Sequence, residues 1–174
     1  MRLGTSTTMG FNRPHGVKAD IPDVVRILAE AGFKVQDMNF HDCSNFPTPL
    51  LTDKWESWVD DIGNTAAKYG VEFSQSHLHF YEHMTADAET AQWKETIIER
   101  CMRGSAALGV KWAVTHAATA PGPQMRGDSL KGNVAYFQKN WNLLISWALA
   151  SPSKTSGTGI SHPVSVTPAS PMNW

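Results

Sequence analysis

No aspartate or glutamate follows Asp128: all sixteen acidic residues of this 174-residue chain lie at or before it. Acids are common in ordinary globular sequence, so the stretch after Asp128 departs in composition from what precedes it. Charge is sparse overall, at 18% of residues with a formal net charge of −1. That balance gives no electrostatic reason to expect nucleic acid or an anionic membrane as partner. Long apolar runs are missing as well. None approaches the roughly 20 residues that a membrane span needs, and the opening Met1 to Thr8 lacks the apolar stretch of a secretory signal. Cysteine is scarce: Cys43 and Cys101 lie far apart, without metal-like spacing and outside any activating motif. The expectation is a cytoplasmic protein with two reduced, partly buried thiols. At this length the chain can bury a sizeable core and forms one domain.

What is present is a repeating unit. Phe33 to Asp37, Val71 to His77 and Val110 to His116 are short apolar strands that each end on an acid or a histidine. Each follows an amphipathic helix pattern closed by Gly32, Gly70 or Gly109. Strands alternating with helices argue for a parallel sheet with right-handed crossovers. In a parallel α/β barrel the carboxyl ends of the strands share one mouth, where chemistry sits. Polar residues at those ends are therefore the first candidates for a site.

The spacing predicts a first strand over Arg2 to Ser6, then a loop holding Gly10, Pro14 and Gly16. A helix follows with Asp20 as cap and Pro22 in its first turn, carrying Val24, Val25, Leu28 and Ala31. Asp42 to Asp53 reads as irregular. The next helix holds Trp55, Trp58, Val59, Ile62 and Ala66, with Glu56, Asp60 and Asp61 near its positive end. A third helix spans about Ala86 to Leu108, with Ile97, Ile98, Cys101 and Ala107 facing inward, and a fourth spans about Leu130 to Ala150. Trp93, Trp112, Trp141 and Trp147 read as core.

Several pieces of sequence in this order carry a family resemblance: Arg2-Leu3-Gly4-Thr5-Ser6, Ala31-Gly32-Phe33 leading to Asp37-Met38-Asn39-Phe40, and Tyr69-Gly70-Val71. Ser74-Gln75-Ser76-His77-Leu78-His79-Phe80-Tyr81 and Val114-Thr115-His116-Ala117-Ala118 complete it. Over about Met1 to Trp147 the chain resembles the xylose isomerase-like barrel superfamily, in its sugar-phosphate isomerase/epimerase branch. The resemblance implies a (β/α) barrel that holds a divalent metal (Zn, Mn or Mg) and moves protons on a sugar or sugar phosphate. It also implies that His77 and His116, at the ends of strands three and four, line the substrate pocket. In the related abasic-site endonucleases those two positions bind zinc. Asp37 stands where the family often has an acid at the end of strand two. His79 replaces a common proline, and Ala117 stands where His-Pro is common.

From the residues themselves, Asp37 ends an apolar strand and needs a partner or water. His77 and His116 have a duller reading as core histidines bonded to backbone. His79 alternates with His77, so by strand period it shares the same side, as a pocket residue or a loop cap. His41, Asp42, Glu82 and His83 read equally well or better as solvated loop polarity. The substrate-binding candidates are thus His77, His116, His79 and Asp37, with His77 and His116 as metal ligands only on the endonuclease-like pattern.

The family places its principal metal ligands and its glutamate base on strands five to eight, and a whole barrel takes ~250 residues. The chain therefore reads as about the first four βα units (residues 1–150) plus a Ser/Thr/Pro/Gly-rich tail (residues 151–174). The tail fits either a change of reading frame near Leu149 or natural disorder. The resemblance implies an isomerase or epimerase in complete form; this chain, without the later strands, is expected to be inactive alone, holding either no cofactor or a metal weakly through two imidazoles and a carboxylate. The alternatives are an abasic-site endonuclease-like repair protein or a non-catalytic half barrel that binds a sugar or a partner chain. Open sheet edges predict self-association.

Overall fold

The computed structural model describes residues 3–150, with side chains as far as Asn140. Its elements are β1 (Gly4–Ser6), α1 (Thr8–Phe11), α2 (Ile21–Glu30), β2 (Val35–Asn39), α3 (Phe40–Ser44), α4 (Trp55–Tyr69), β3 (Glu72–His77), α5 (Ala88–Ala107), β4 (Ala113–Val114) and α6 (Met125–Ala150). Short 3-10 turns at Pro14–Gly16 and Pro49–Leu51 complete the set. The four strands form one parallel sheet in the order β1-β2-β3-β4. Four consecutive parallel strands with helical crossovers make this a parallel (β/α) barrel arrangement carried through four units, as the sequence predicts.

Glycine stops set the rhythm of the units. Gly70 closes α4 in the left-handed region at φ 65°, a conformation without steric cost only for glycine. Each helix then turns one stripe to the sheet. Val24, Val25 and Leu28 of α2, Trp58, Val59 and Ile62 of α4, and Ile97, Ile98 and Cys101 of α5 are all buried. They meet Met38 and Phe73, which point from the sheet into the same core, together with Phe40 and Leu50. Full burial of each such side chain is worth about 1.5–3 kcal/mol. The long connection between β2 and α4 is tied from outside by Arg100, whose Nη1 donates to the carbonyls of Leu50 (2.8 Å) and Thr52 (2.9 Å).

Several expectations need correction. The stretch after β2 is not irregular throughout, because Asn39 caps α3 by accepting from the Asp42 N–H. Asp20 stands at the N-cap of α2 but makes no side-chain cap bond; its carboxylate accepts from Trp58 Nε1 at 3.4 Å. Ala107 is exposed, and Met102, Gly104 and Ser105 take the inner positions of α5 instead. Trp93 and Trp112 are not core: Trp112 is 73% exposed. Trp141 and Trp147 fall outside the described side chains, and the tail 151–174 outside the described residues. Strand β4 is only two residues long, so His116 lies beyond its end.

One face of the sheet carries the helices. By the two-residue alternation of a strand, Val35, Asp37 and Asn39 of β2 take the opposite face, since Gln36 and Met38 are buried toward α2 and the core. Pairing between β2 and β3 is interrupted once: Gln36 faces Phe73, but Asp37 faces Gln75, so Ser74 is skipped.

Candidate functional site

Asp37 and His77 meet on the uncovered face: His77 is the last residue of β3, whereas Asp37 is the middle residue of β2, which runs on to Asn39 instead of ending at the acid as the sequence predicts. Both carboxylate oxygens lie 3.0 Å from His77 Nδ1. A carboxylate can only accept, so Nδ1 carries the proton and the lone pair of the neutral ring is on Nε2. The two side chains are partly buried, at 12% and 30% exposure for the acid and the imidazole. This answers the need of Asp37 for a partner. The arrangement is that of an acid–base dyad: an acid that fixes the tautomer and orientation of an imidazole.

A hydrogen-bond chain extends from the dyad along the mouth. The Thr7 N–H donates to the Asp37 carbonyl at 3.0 Å, and Thr7 Oγ1 accepts from the Asn39 N–H at 3.0 Å. Asn39 Nδ2 donates to Thr8 Oγ1, which in turn donates to Asp42 Oδ2, both at 2.8 Å. Asp42 is thus held by the α1 side of the mouth rather than left in solvent.

His41, His79 and His116 form a stack around Phe80 instead of joining the dyad. The His41 ring lies 3.9 Å from Phe80 and 5.5 Å from His79, and Phe80 lies 4.1 Å from His116. His116, at the β4 side, is exposed and packs on Phe80. His79 is only 1% exposed. The strand ends at His77, so the alternation that would aim His79 at the mouth lapses there. Ser44 Oγ donates to the His41 carbonyl (2.6 Å), which leaves His79 Nδ1–H to donate to Ser44 Oγ (2.6 Å). His79 Nε2 is then buried without a partner among the described residues. Burial holds the His79 pKa down to about 4, with Lys94 and His41 pushing the same way. Burial also lowers His41, against the pull of Asp42. His79 thus acts as a clamp that ties the segment after β3 to α3 through Ser44.

The remaining loop residues are engaged too. Glu82 Oε2 accepts from the Thr119 N–H at 3.1 Å, tying the β3 and β4 loops together, and His83 stacks on Tyr136 at 3.9 Å. Both read as solvated in the sequence, because their partners come from the unit that follows. The thiols of Cys43 and Cys101 are buried and pushed up by desolvation, Cys101 to about 12. A shallow, open hollow lies at the other end of the sheet, between the ends of α4 and α5 beside Val71, Leu108 and Gly109. It carries none of the dyad's chemistry.

As to a metal, the residues do not fit one by themselves. Among the described residues no three His, Cys, Asp or Glu side chains converge on a point, and both oxygens of Asp37 are turned to His77. His77 is bonded to Asp37, and His116 packs on Phe80.

Four parallel βα units with their reactive polar residues at the strand carboxyl ends define the first part of a (β/α) barrel. No protein-family model matches the chain, and no curated protein matches it. The chain is similar to the solved crystal structure of a D-psicose 3-epimerase determined in the presence of D-fructose. That match has a TM-score of 0.44 and 14% identity, and covers 65% of this chain and 36% of that one. It is also similar to a xylose isomerase-like TIM barrel/4-hydroxyphenylpyruvate dioxygenase fusion protein, with a TM-score of 0.40, 14% identity, and coverage of 65% and 15%. The chain thus spans about a third of the length of the first.

Proposed function

We propose that this chain is the sugar-binding N-terminal half of a sugar or sugar-phosphate isomerase or epimerase barrel. The observation that carries this reading is the Asp37–His77 dyad at the mouth end of two adjacent parallel strands. His77 Nε2 accepts a proton from a sugar hydroxyl, or returns one, while Asp37 keeps the ring in that tautomer. The Thr8, Asn39 and Asp42 chain lines the same mouth with groups suited to polyhydroxyl ligands.

In the complete enzyme that the resemblance implies, proton removal beside a carbonyl belongs to a glutamate on a later strand and metal binding to residues beyond β4. The described residues do not fit a metal centre, so no step is assigned to one. On this reading the chain alone binds a sugar and does not turn it over.

Calorimetry with ketohexoses, aldopentoses and their phosphates tests the reading. The expected result is saturable binding to at least one of them, weakened by His77→Ala, with no isomer or epimer formed on long incubation. Indifference of binding to His77→Ala, or no binding at all, overturns it. Product formation by the chain alone refutes the claim of inactivity.

A further inference from the structure

Lys94 stands in the second turn of α5, the helix that follows β3. It is half-buried, and its ammonium rests on the ring of Trp93, 4.7 Å from the centroid. Among the described residues no carboxylate comes within ion-pair distance of it. By contrast, half-buried Arg26 is paired with Asp23 and Glu30, and Arg100 donates to two backbone carbonyls. Burial alone acts on the Lys94 pKa and lowers it; among the described residues it is the one lysine so affected. A charge withdrawn from water with no opposite charge beside it is unfavourable.

The surroundings of this ammonium are residues of the mouth. Trp93 meets the His79 ring edge-on at 6.5 Å, and His79 stacks on His41 at 5.5 Å. The Lys94 charge acts on both imidazoles, and His41 also feels His77 of the dyad. His41 therefore lies within electrostatic reach of Lys94 and of the dyad alike. Asp42, the acid nearest in sequence to His41, is bonded to Thr8 and pulls on His41, yet leaves Lys94 unaffected. Trp93 is 46% exposed, so the Trp93–Lys94 pair is reachable from solvent.

His41 is short of an acceptor as well. Asn45 Nδ2 donates to the His41 carbonyl at 2.8 Å, which identifies that atom as the amide nitrogen. The same atom lies 3.2 Å from His41 Nε2, so Nε2 accepts and Nδ1 carries the hydrogen. That Nδ1–H is buried without an acceptor among the described residues. An ammonium and an imidazole N–H on one side of the mouth thus both lack what an oxyanion supplies. A hydroxyl could satisfy the hydrogen bonds but would not offset the charge, whereas a phosphate or carboxylate does both.

We infer that Lys94 receives an anionic group, a phosphate or a carboxylate, carried by the sugar that the dyad binds. The inference rests on the reading of this mouth as a sugar site, and adds that the ligand is charged at one end.

Calorimetry on matched ligands provides the test: a ketohexose, its terminal phosphate ester and an aldonate of the same carbon number. The native chain is expected to bind at least one of the anionic forms about tenfold more tightly than the neutral sugar, the size of one charge-assisted hydrogen bond. That preference should shrink at high salt. Which anion carries it tells phosphate from carboxylate. Lys94→Met is expected to bring charged and neutral forms to equal affinity with the far-UV circular dichroism unchanged, and Lys94→Arg to keep the preference. Equal affinities in the native chain, or a preference that survives Lys94→Met, overturn the inference. A second measurement needs no sugar. Inorganic phosphate is expected to shift the Trp93 indole N–H signal saturably in the native chain and not in Lys94→Met. If it does so while no sugar binds, the anion subsite stands and the sugar reading falls. A Trp93 signal that does not respond, or responds equally in Lys94→Met, overturns the subsite, and the sugar reading stands wherever the neutral sugar binds.

Discussion

Both carboxylate oxygens of Asp37 stand 3.0 Å from Nδ1 of His77, across the β2–β3 seam. Because the acid offers only lone pairs, it dictates where the imidazole keeps its proton. Asp37→Asn reverses this: its amide donates to Nδ1, and the ring proton moves to Nε2. We expect nitrogen NMR to show His77 as the Nδ1–H tautomer in the native chain and as the Nε2–H tautomer in Asp37→Asn. Sugar affinity is expected to fall about tenfold, near the 1.4 kcal/mol of one lost hydrogen bond to a charged group. An unchanged tautomer in the variant would show that the dyad does not set the proton position.

The His79 clamp makes the fold sensitive to acid. Its pKa is about 4 in the folded chain against the ordinary 6.5, because burial disfavours the charged ring. The unfolded chain therefore binds the proton first as pH falls. The stabilisation is fully present above pH 6.5 and is lost between there and about 4. Its size is on the order of 2–3 kcal/mol. Urea midpoints measured between pH 7.5 and 4 should decline over that window, and His79→Gln should flatten the decline. A flat profile in the native chain would contradict the clamp.

Buried thiols with raised pKa values are poor nucleophiles. Cys43 and Cys101 are both fully enclosed, and Cys101 is pushed up to about 12. A thiol-specific chromogenic reagent at pH 8 is expected to modify both only as fast as the chain unfolds, with a steep acceleration in urea. Rapid reaction of one equivalent in native buffer would show that one of the two is accessible.

Two glycines inside helices should respond with opposite signs to the same change. A Cβ at Gly104 would lie 3.0 Å from Phe40 Cζ and 3.2 Å from Val59 Cγ2, both in the core. The helix propensity gained by Gly104→Ala, about 1 kcal/mol, is outweighed by overpacking of about 1–3 kcal/mol. At Gly63 the nearest atom is Leu108 Cδ2 at 3.5 Å, so Gly63→Ala is expected to stabilise by up to about 1 kcal/mol. Thermal melts of the two variants decide the matter, and equal signs would show that the α4–α5 packing differs from that described.

The repeating units were legible because their signals are local. Gly32, Gly70 and Gly109 stop the chain at positive φ as their spacing suggests, and apolar residues at helical period locate α2, α4 and α5. α3 was hidden because five residues are too few to show a period. β4 read longer than it is because Val110 packs against the core while Lys111 and Trp112 stay exposed, so an apolar pattern continues without a strand. Of the site, Asp37 and His77 were visible as strand ends, but their bond was not, since it joins residues forty apart. The stack of His41, Phe80 and His116 comes from three separate segments, and no spacing in one dimension points to it. His79 shows the limit of alternation: counted from His77 it belongs at the mouth, yet the strand has already ended.

The skipped residue Ser74 has a consequence for how this sequence tolerates error. Counted strictly from Phe73, every second residue of β3 would return to the helix side, and His77 would be driven among the core helices. One extra residue flips the parity, so Phe73 stays inside the core while His77 emerges beside Asp37. What matters is thus the register rather than the Ser74 side chain. Replacing Ser74 by another small residue should cost little, and deleting it should leave Gln75, Ser76 and His77 opposite Asp37, Met38 and Asn39 in an unbroken ladder, with His77 still beside Asp37.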